Sequence, residues 1–141
     1  MIRSGSAVWK GSLKDGSGTV STESGVLKNS PYSFRSRFES DPATNPEELI
    51  AAAHASCFSM ALSVQLQQAG LTADRIETAA KVSLEKTDAG FTVTSSHLIV
   101  FARIPGATPE QFSAATNAAK AGCPISRLLN ATITMESRFD S

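Results

Sequence analysis

The pattern of apolar and polar positions divides the chain into a β-rich N-terminal part, a long apolar helix, a β-hairpin, two shorter helices and a final strand. Alternation of apolar and polar residues with a period of two predicts the strands. Turn residues such as Gly16 and Gly90 separate neighbouring strands. The predicted strands are Ala7–Leu13, Gly18–Thr22, Tyr32–Phe38, Ile76–Lys86, Phe91–Arg103 and Ala131–Phe139.

The longest predicted element is an alanine-rich helix that begins at Pro46 and ends near Ala69, just before Gly70. Asn45 is a favourable N-cap, proline fits the first helical position, and the two glutamates that follow favour the positive end of the helix dipole. The helix has little polar character after Leu49. We therefore expect it to be central and buried over most of its surface.

Two further helices complete the predicted elements. A capping box, Thr108-Pro109-Glu110-Gln111, opens a helix that should end near Ala121, with Gly122 as its stop. A short helix is predicted from Cys123 to Asn130. The order β-β-β-α-β-β-α-α-β predicts an α+β fold with antiparallel sheets and helices packed on them. At 141 residues the whole chain, 1–141, is expected to form a single domain.

The composition indicates a globular protein and argues against several functions. Apolar residues make up 41% of the chain, and 13 basic residues balance 13 acidic ones. A nucleic-acid partner is not expected, because such proteins normally carry an excess of basic residues. No apolar run approaches the roughly 20 residues that span a bilayer, and the first residues lack the apolar core of a signal peptide. These features predict no membrane partner and a cytoplasmic location, where a disulfide is more often catalytic than structural.

The two cysteines are the strongest candidates for chemistry. Cys57 lies inside the long helix, where a thiol needs a cationic neighbour to become a thiolate. Cys123 lies at the expected start of a helix, a position that lowers the pKa of a thiol. If the fold brings them together, one thiol can attack a substrate and the other can resolve the product. The alternative is a binding protein without enzymatic activity, in which both thiols are buried and inert.

His54 lies one turn before Cys57 on the same helix face. It is a candidate base for the thiol or a candidate metal ligand, although a polar residue at a helix surface or interface is the commoner role. With Cys57, Cys123 and His97 it supplies the ligand types of a zinc site. The spacing matches no standard zinc pattern, so we expect no metal and no other cofactor.

Two arginines and a glutamate are candidates for holding a thiolate or a peroxide. Arg35 and Arg37 are predicted to share one face of the third strand. A guanidinium stays charged and can bind a thiolate or a peroxide oxygen, although a solvated strand face is the simpler interpretation. Glu47 can hold an arginine through a bidentate pair. An acidic residue at the start of a helix is also favourable without any partner.

Six segments spread over essentially the whole chain carry a family resemblance: Gly18–Leu27, Arg37–Glu39, Thr44–Ile50, Ala52–Leu62, Asp88–Phe91 and Lys120–Ser126. They resemble the OsmC/Ohr family of thiol peroxidases. The resemblance implies that Cys57 is the peroxidatic nucleophile and that Cys123 is the resolving cysteine. It also implies that the family's arginine is Arg37, with Arg35 as the fallback, and that its glutamate is Glu47.

The resemblance further implies an enzyme of oxidative and osmotic stress defence. Such an enzyme reduces organic hydroperoxides, and hydrogen peroxide more weakly, to alcohols. Cys57 would become a sulfenic acid and then form a disulfide with Cys123. An external dithiol, for which a lipoyl-type group is one candidate, would reduce that disulfide. Candidates for an apolar wall around an organic peroxide tail are Leu49, Ile50, Phe58 and Met60.

Helix geometry predicts a dimer. One continuous helix holds the backbones of Glu47 and Cys57 about 15 Å apart, too far for both to serve one small site. If both act in one site, the glutamate comes from a partner chain whose helix runs antiparallel. We therefore expect an intertwined two-fold homodimer with two interface sites, and the resemblance implies the same assembly.

Overall fold

The structure of the protein is a computed structural model that describes residues 1–141 and contains six strands and four helices. The chain divides into two compact units, Met1–Leu49 and Ile50–Ser141. The α+β class is confirmed, whereas a single domain over 1–141 stays a prediction. The elements are β1 Gly5–Lys10, β2 Ser17–Thr22, β3 Ser30–Ser33, α1 Phe34–Phe38, α2 Pro46–Gln68, β4 Arg75–Thr87, β5 Gly90–Arg103, α3 Pro109–Gly122, α4 Pro124–Leu128 and β6 Thr132–Asp140.

The first unit contains an antiparallel sheet in the order β1-β2-β3. Trp9 and Tyr32 flank Gly18 on this sheet, with their ring centroids 5.4 Å apart. A Cβ atom at Gly18 would lie 2.5 Å from Cε1 of Tyr32 and 2.7 Å from the carbonyl oxygen of Val8. Glycine is therefore required here by the close approach of two neighbouring strands.

The predicted third strand, Tyr32–Phe38, is wrong beyond Ser33. The chain instead forms the short helix α1, which carries both Arg35 and Arg37. A capping box explains the change, because the Ser36 amide donates to the Ser33 hydroxyl and the Ser33 amide donates to the Ser36 hydroxyl. These local bonds outweigh the alternating pattern, which on its own favours a strand.

Helix α2 begins and ends as predicted. The Glu48 amide donates to Oδ1 of Asn45 over 2.8 Å, and Gly70 follows the helix with φ of +74°. The Glu48 side chain accepts a hydrogen bond from the Thr44 hydroxyl. Side chains of the loop before α2 therefore form hydrogen bonds with its first turn.

The burial of α2 differs from the prediction, because only one stripe of the helix is buried. That stripe consists of His54, Phe58, Leu62 and Leu66. Met60, on another face, is 73% exposed. By length and composition alone α2 is also long and apolar enough to cross a membrane, so the expectation that no apolar run approaches that length was wrong. The core helix of a globular protein passes the same test, so one such helix is weak evidence for a membrane span.

The second unit contains a sheet in the order β4-β5-β6. The predicted hairpin is confirmed, with β4 antiparallel to β5. The expectation of purely antiparallel sheets was wrong, because β6 pairs parallel to β5. The two helices α3 and α4 lie between these strands in the chain and provide the crossover that parallel pairing requires.

The capping box of α3 is confirmed by the bond from the Gln111 amide to the Thr108 hydroxyl. The helix continues through Gly122, so its end is set by Cys123 and Pro124. The core of this unit joins the buried stripe of α2 to β5 and α3. Its largest members are Phe58, Leu62, Leu66, Leu98, Val100, Ile104 and Phe112.

Candidate active site

The structure brings the two thiols of the second unit into contact. Cys57 lies on α2, partly exposed and packed against the core, whereas Cys123 is fully buried. Both are free thiols, and their side chains share a hydrogen bond. Cys123 ends α3, donating its amide to the Ala119 carbonyl, and it precedes Pro124, the first residue of α4. The short turn between α3 and α4 therefore carries the second sulfur to the helix that bears the first.

The environment of Cys57 raises the pKa of its thiol. Burial is the main cause, and the hydrogen bond and charge interaction with Cys123 act in the same direction. A hydrogen bond from the Ile125 backbone amide lowers the pKa but does not reverse the shift. No positive charge contributes to this shift within one chain. Cys57 thus has an oriented backbone donor, but it still needs a cation to become a thiolate at neutral pH.

His54 is fully buried, so of the expected positions, a helix surface or an interface, only an interface between elements fits. Its Nδ1 atom lies 2.7 Å from the Ser96 hydroxyl of β5, and its Nε2 atom lies 2.8 Å from the Ser126 hydroxyl of α4. Both ring nitrogens are therefore occupied by hydroxyl groups. Burial lowers the pKa of His54, so the neutral imidazole is favoured in the folded protein.

The buried imidazole makes the stability of the fold dependent on pH. The folded pKa of His54 lies below the ordinary 6.5, so the unfolded chain binds the proton first as the pH falls. The stabilising contribution is complete above about pH 6.5 and is lost as the pH falls towards the folded pKa. We expect urea unfolding to give a lower free energy of unfolding at about pH 5.5 than at about pH 7.5. His54→Gln should show a smaller drop than the wild type; an equal drop in the two proteins would contradict the assignment.

The predicted partners Arg37 and Glu47 pair within the first unit. Nη2 of Arg37 lies 2.7 Å from Oε1 of Glu47, and Nε lies 3.1 Å from Oε1 and 3.2 Å from Oε2. The Glu47 side chain is only 13% exposed. Two contacts between α1 and the start of α2 support the pair, from the Ser36 hydroxyl to the Thr44 carbonyl and from the Asn45 amide to the Ser36 carbonyl. Glu47 therefore fixes the direction of the guanidinium by a charge-assisted fork.

Arg35 is oriented differently. Its Nε atom lies 3.2 Å from Oε2 of Glu39, and its Nη2 atom lies 3.9 Å from Oδ1 of Asp41. Both arginines were expected on one strand face, but their separation by two positions on a short helix sends them to different carboxylates. Of the two, Arg37 is the arginine that Glu47 positions.

An apolar cavity of about 290 Å³ adjoins the Arg37 guanidinium in the first unit. The guanidinium carbon of Arg37 lies 5.3 Å from the centroid of the Phe38 ring. The wall of the cavity is mostly aromatic and aliphatic, formed by Trp9, Leu13, Tyr32, Phe34, Phe38 and Pro46. This cavity places one fixed positive group at the edge of an apolar surface.

The predicted apolar wall on α2 is only partly supported. Phe58 is fully buried in the core and is unavailable to a ligand, whereas Met60 is exposed. The aromatic side chains around Arg37 were not predicted as a wall, because the helix α1 that turns Phe34 and Phe38 towards the cavity was not predicted.

A zinc site has no support in the structure. No group of three or more histidine, cysteine or acidic side chains is placed to hold a metal. His97 contacts Thr134 through Nδ1 over 2.6 Å, and the nitrogens of His54 contact serines. The functional contacts that sequence reasoning missed are those of Ser96, Ser126 and the Ile125 amide. One sequence feature points to the contact between His54 and Ser126. His54 lies three residues before Cys57, and Ser126 lies three residues after Cys123.

The site thus consists of a free thiol on α2 in contact with a second free thiol from a Gly-Cys-Pro turn, within an α+β fold. Residues 39–138 match the family described as OsmC-like protein, and the chain belongs to that family. It is 52% identical to peroxiredoxin OsmC of Escherichia coli (strain K12) over 139 residues, covering 99% of this chain and 97% of that protein.

Solved structures agree with the fold. The structure superposes with a TM-score of 0.70 on an organic hydroperoxide resistance protein from Elizabethkingia anophelis, with 25% identity, covering 100% of this chain and 98% of that one. Superposition on the organic hydroperoxide resistance protein OhrB of Bacillus subtilis gives a TM-score of 0.71 with 24% identity, covering 97% and 98% of the two chains.

Proposed function

We propose that this protein is a cysteine-based peroxidase that reduces organic hydroperoxides to alcohols, and hydrogen peroxide more weakly, in stress defence. The observation that carries the proposal is the contact between the Cys57 and Cys123 thiols. A peroxidatic cysteine needs a second thiol within bonding reach to end its cycle as a disulfide. The names of the relatives, a peroxiredoxin and organic hydroperoxide resistance proteins, agree with this chemistry.

The proposed first step is attack by the Cys57 thiolate on the distal oxygen of the hydroperoxide. The O–O bond breaks with its electron pair on the leaving oxygen, which takes up a proton and departs as an alcohol, or as water from hydrogen peroxide. Cys57 becomes a sulfenic acid. The Arg37 guanidinium, oriented by Glu47, favours the thiolate and stabilises the charge that develops on the peroxide oxygens.

In the second step Cys123 condenses with the sulfenic acid. The S–S bond forms, the S–O bond of Cys57 breaks, and the hydroxyl leaves with the thiol proton as water. An external dithiol, for which a lipoyl-type group is our candidate, then takes over the disulfide by thiol exchange. We place this cycle in the cytoplasm, where thiols are kept reduced and such a dithiol remains available.

We propose that two chains build each site. Helix α2 is unbroken from Pro46 to Gln68, so Glu47 and Cys57 are held about 15 Å apart along one helix. Arg37 belongs with Glu47, because the two side chains form a fork within one chain. In a two-fold homodimer the Arg37–Glu47 pair of one chain serves Cys57 of its partner. Two observations support this arrangement. Several faces of α2 are exposed in one chain, and no cation of the same chain lowers the pKa of Cys57.

The apolar cavity beside Arg37 supports an organic substrate. An alkyl or aryl tail gains free energy by leaving water for a wall of aromatic side chains, at about 25 cal/mol per Å² of buried apolar surface. Hydrogen peroxide has no such tail and gains nothing from the cavity. The guanidinium at the edge of the cavity would then receive the polar peroxide end of the same molecule.

A binding protein with inert thiols is the second candidate function, favoured by the raised pKa of Cys57. The two functions predict different behaviour of Cys123→Ser. With one equivalent of cumene hydroperoxide, the reduced wild type should lose both thiols to an internal disulfide. Cys123→Ser should show one oxidation event and then, with excess peroxide, a sulfinic acid on Cys57, because no thiol intercepts the sulfenic acid. Intact mass and dimedone labelling measure both species, and thiols that survive the peroxide in the wild type would favour the binding protein.

A further inference from the structure

The turn that carries Cys123 meets α2 at two places, not one. Cys123 contacts Cys57, and Ser126, one turn later, contacts His54, one turn before Cys57. The two contacts therefore run in opposite chain directions: the later residue on α2 meets the earlier residue of the turn, and the earlier residue on α2 meets the later one. His54 is anchored on its other side by Ser96 of the sheet strand β5. The imidazole thus ties the Cys123 turn to both α2 and the sheet.

Besides this link, the turn is held by packing of Cys123 and Ile125 in the core and by the hydrogen bond between the Ile125 amide and Cys57. Helix α4 is five residues long and has no side-chain cap at its N-terminus. The contact between Ser126 and His54 is the hydrogen bond that a side chain of α4 makes to α2, beside the one between the Ile125 amide and the Cys57 side chain. A disulfide requires Cβ atoms about 3.8 Å apart and a torsion near 90°, so small displacements of this turn decide whether the sulfurs can join.

We propose that His54 is a positioning residue for disulfide formation, and that its hydrogen bond to Ser126 holds the Cys123 sulfur and the Ile125 amide against Cys57. In enzymatic turnover this inference rests on the proposed peroxidase function. The bond contributes to the second step, in which Cys123 displaces hydroxide from the sulfenic sulfur. When the turn is released, the sulfenic acid survives long enough for a second peroxide to add another oxygen and give the sulfinic acid.

A direct role of His54 as a base for the thiol fits the structure less well. Both ring nitrogens contact serine hydroxyls at 2.7 and 2.8 Å. A neutral imidazole has one donor and one acceptor nitrogen, and two hydroxyls use both. The side chain is also fully buried, so neither ring nitrogen is exposed to solvent. The imidazole is built into the structure as a link between elements.

The test measures the Cys57–Cys123 disulfide equilibrium in anaerobic buffers of reduced and oxidised dithiothreitol, which requires no peroxide. Losing one buried hydrogen bond should make the disulfide of Ser126→Ala about fivefold easier to reduce. His54→Ala should show a similar change, and the double variant no more than the larger single one, because both remove the same bond. His97→Ala, which loses a partly buried histidine bonded to Thr134, is the matched control and should retain the wild-type constant.

A second measurement titrates each reduced variant with cumene hydroperoxide and compares disulfide with sulfinic acid by intact mass. Ser126→Ala should form sulfinic acid at about one fifth of the peroxide concentration that the wild type needs. Wild-type values for Ser126→Ala in both measurements would overturn the inference, as would additive losses in the double variant. If His54→Ala does not fold, Ser126→Ala decides the outcome. If the wild type ignores peroxide while Ser126→Ala shifts the dithiothreitol equilibrium, the peroxidase function fails and the positioning role stands.

Discussion

Cys57→Ser should reduce the rate of organic hydroperoxide reduction by about a thousandfold or more, to the background of the buffer. The substitution replaces the proposed attacking sulfur with a hydroxyl, which is a far weaker nucleophile at neutral pH. The volume changes little, and the position is only partly buried, so the fold should persist. Turnover is measured by consumption of cumene hydroperoxide with dihydrolipoamide as the reductant.

Cys123→Ser is the control for that experiment. It should retain the first oxidation of Cys57 at close to the wild-type rate in a single turnover, because the attacking sulfur is still present. Catalytic turnover with a dithiol should fall, since the disulfide that the dithiol reduces cannot form. Full peroxidase activity in Cys57→Ser would refute the mechanism, whatever the behaviour of the control.

Arg37→Met should lower the rate of Cys57 oxidation by about a hundredfold, the size of effect seen when a fixed donor to a developing anion is removed. It should also shift the pH dependence of Cys57 reactivity. Burial and Cys123 raise the pKa of Cys57, and a nearby cation opposes that shift by favouring the thiolate. Loss of the cation should therefore move the midpoint of Cys57 alkylation by iodoacetamide to higher pH. Arg35→Met is the matched control and should keep the wild-type midpoint, because Arg35 pairs with Glu39.

Mixing the variants tests which chain supplies the arginine. Dimers that combine one Cys57→Ser chain with one Arg37→Met chain contain one complete site if Arg37 serves the partner's Cys57. Unfolding and refolding an equal mixture should then restore about a quarter of the wild-type activity, since half of the dimers are mixed and each has one of two sites. A mixture that stays as inactive as its components would mean that each chain builds its own site.

Local signals predicted the helices and the hairpin well. Asn45-Pro46-Glu47-Glu48 and Thr108-Pro109-Glu110-Gln111 start helices where capping chemistry requires. The turn Thr87-Asp88-Ala89-Gly90 joins two long strands of the expected length. Each of these features is decided within a few residues, so sequence alone was sufficient for them.

Features that depend on contacts far apart in the chain were missed. The parallel pairing of β6 with β5 is set by where the sheet has a free edge, which no local pattern reports. The helix α1 was missed for a local reason instead, because alternation was given more weight than the capping serines Ser33 and Ser36. The exposure of α2 was also misjudged, since an apolar composition does not say which faces of a helix are covered.

The candidate site was predicted in part. Both cysteines and the Arg37–Glu47 pair were proposed from the sequence, largely through the family resemblance. The burial of His54 could not be foreseen, because it depends on Ser96 and Ser126 arriving from a strand and a turn elsewhere in the chain. The apolar cavity beside Arg37 likewise appears only once α1 has formed.

The contact between the two sulfurs determines the oxidation state in which the protein would remain when reductant in the cell is scarce. A thiol that stands alone accumulates irreversible damage under such conditions and must be replaced by new synthesis. Here a neighbour is already in place before any oxidant arrives. Oxidised molecules would therefore rest as the disulfide, which a reductant converts back to the dithiol without synthesis of new protein.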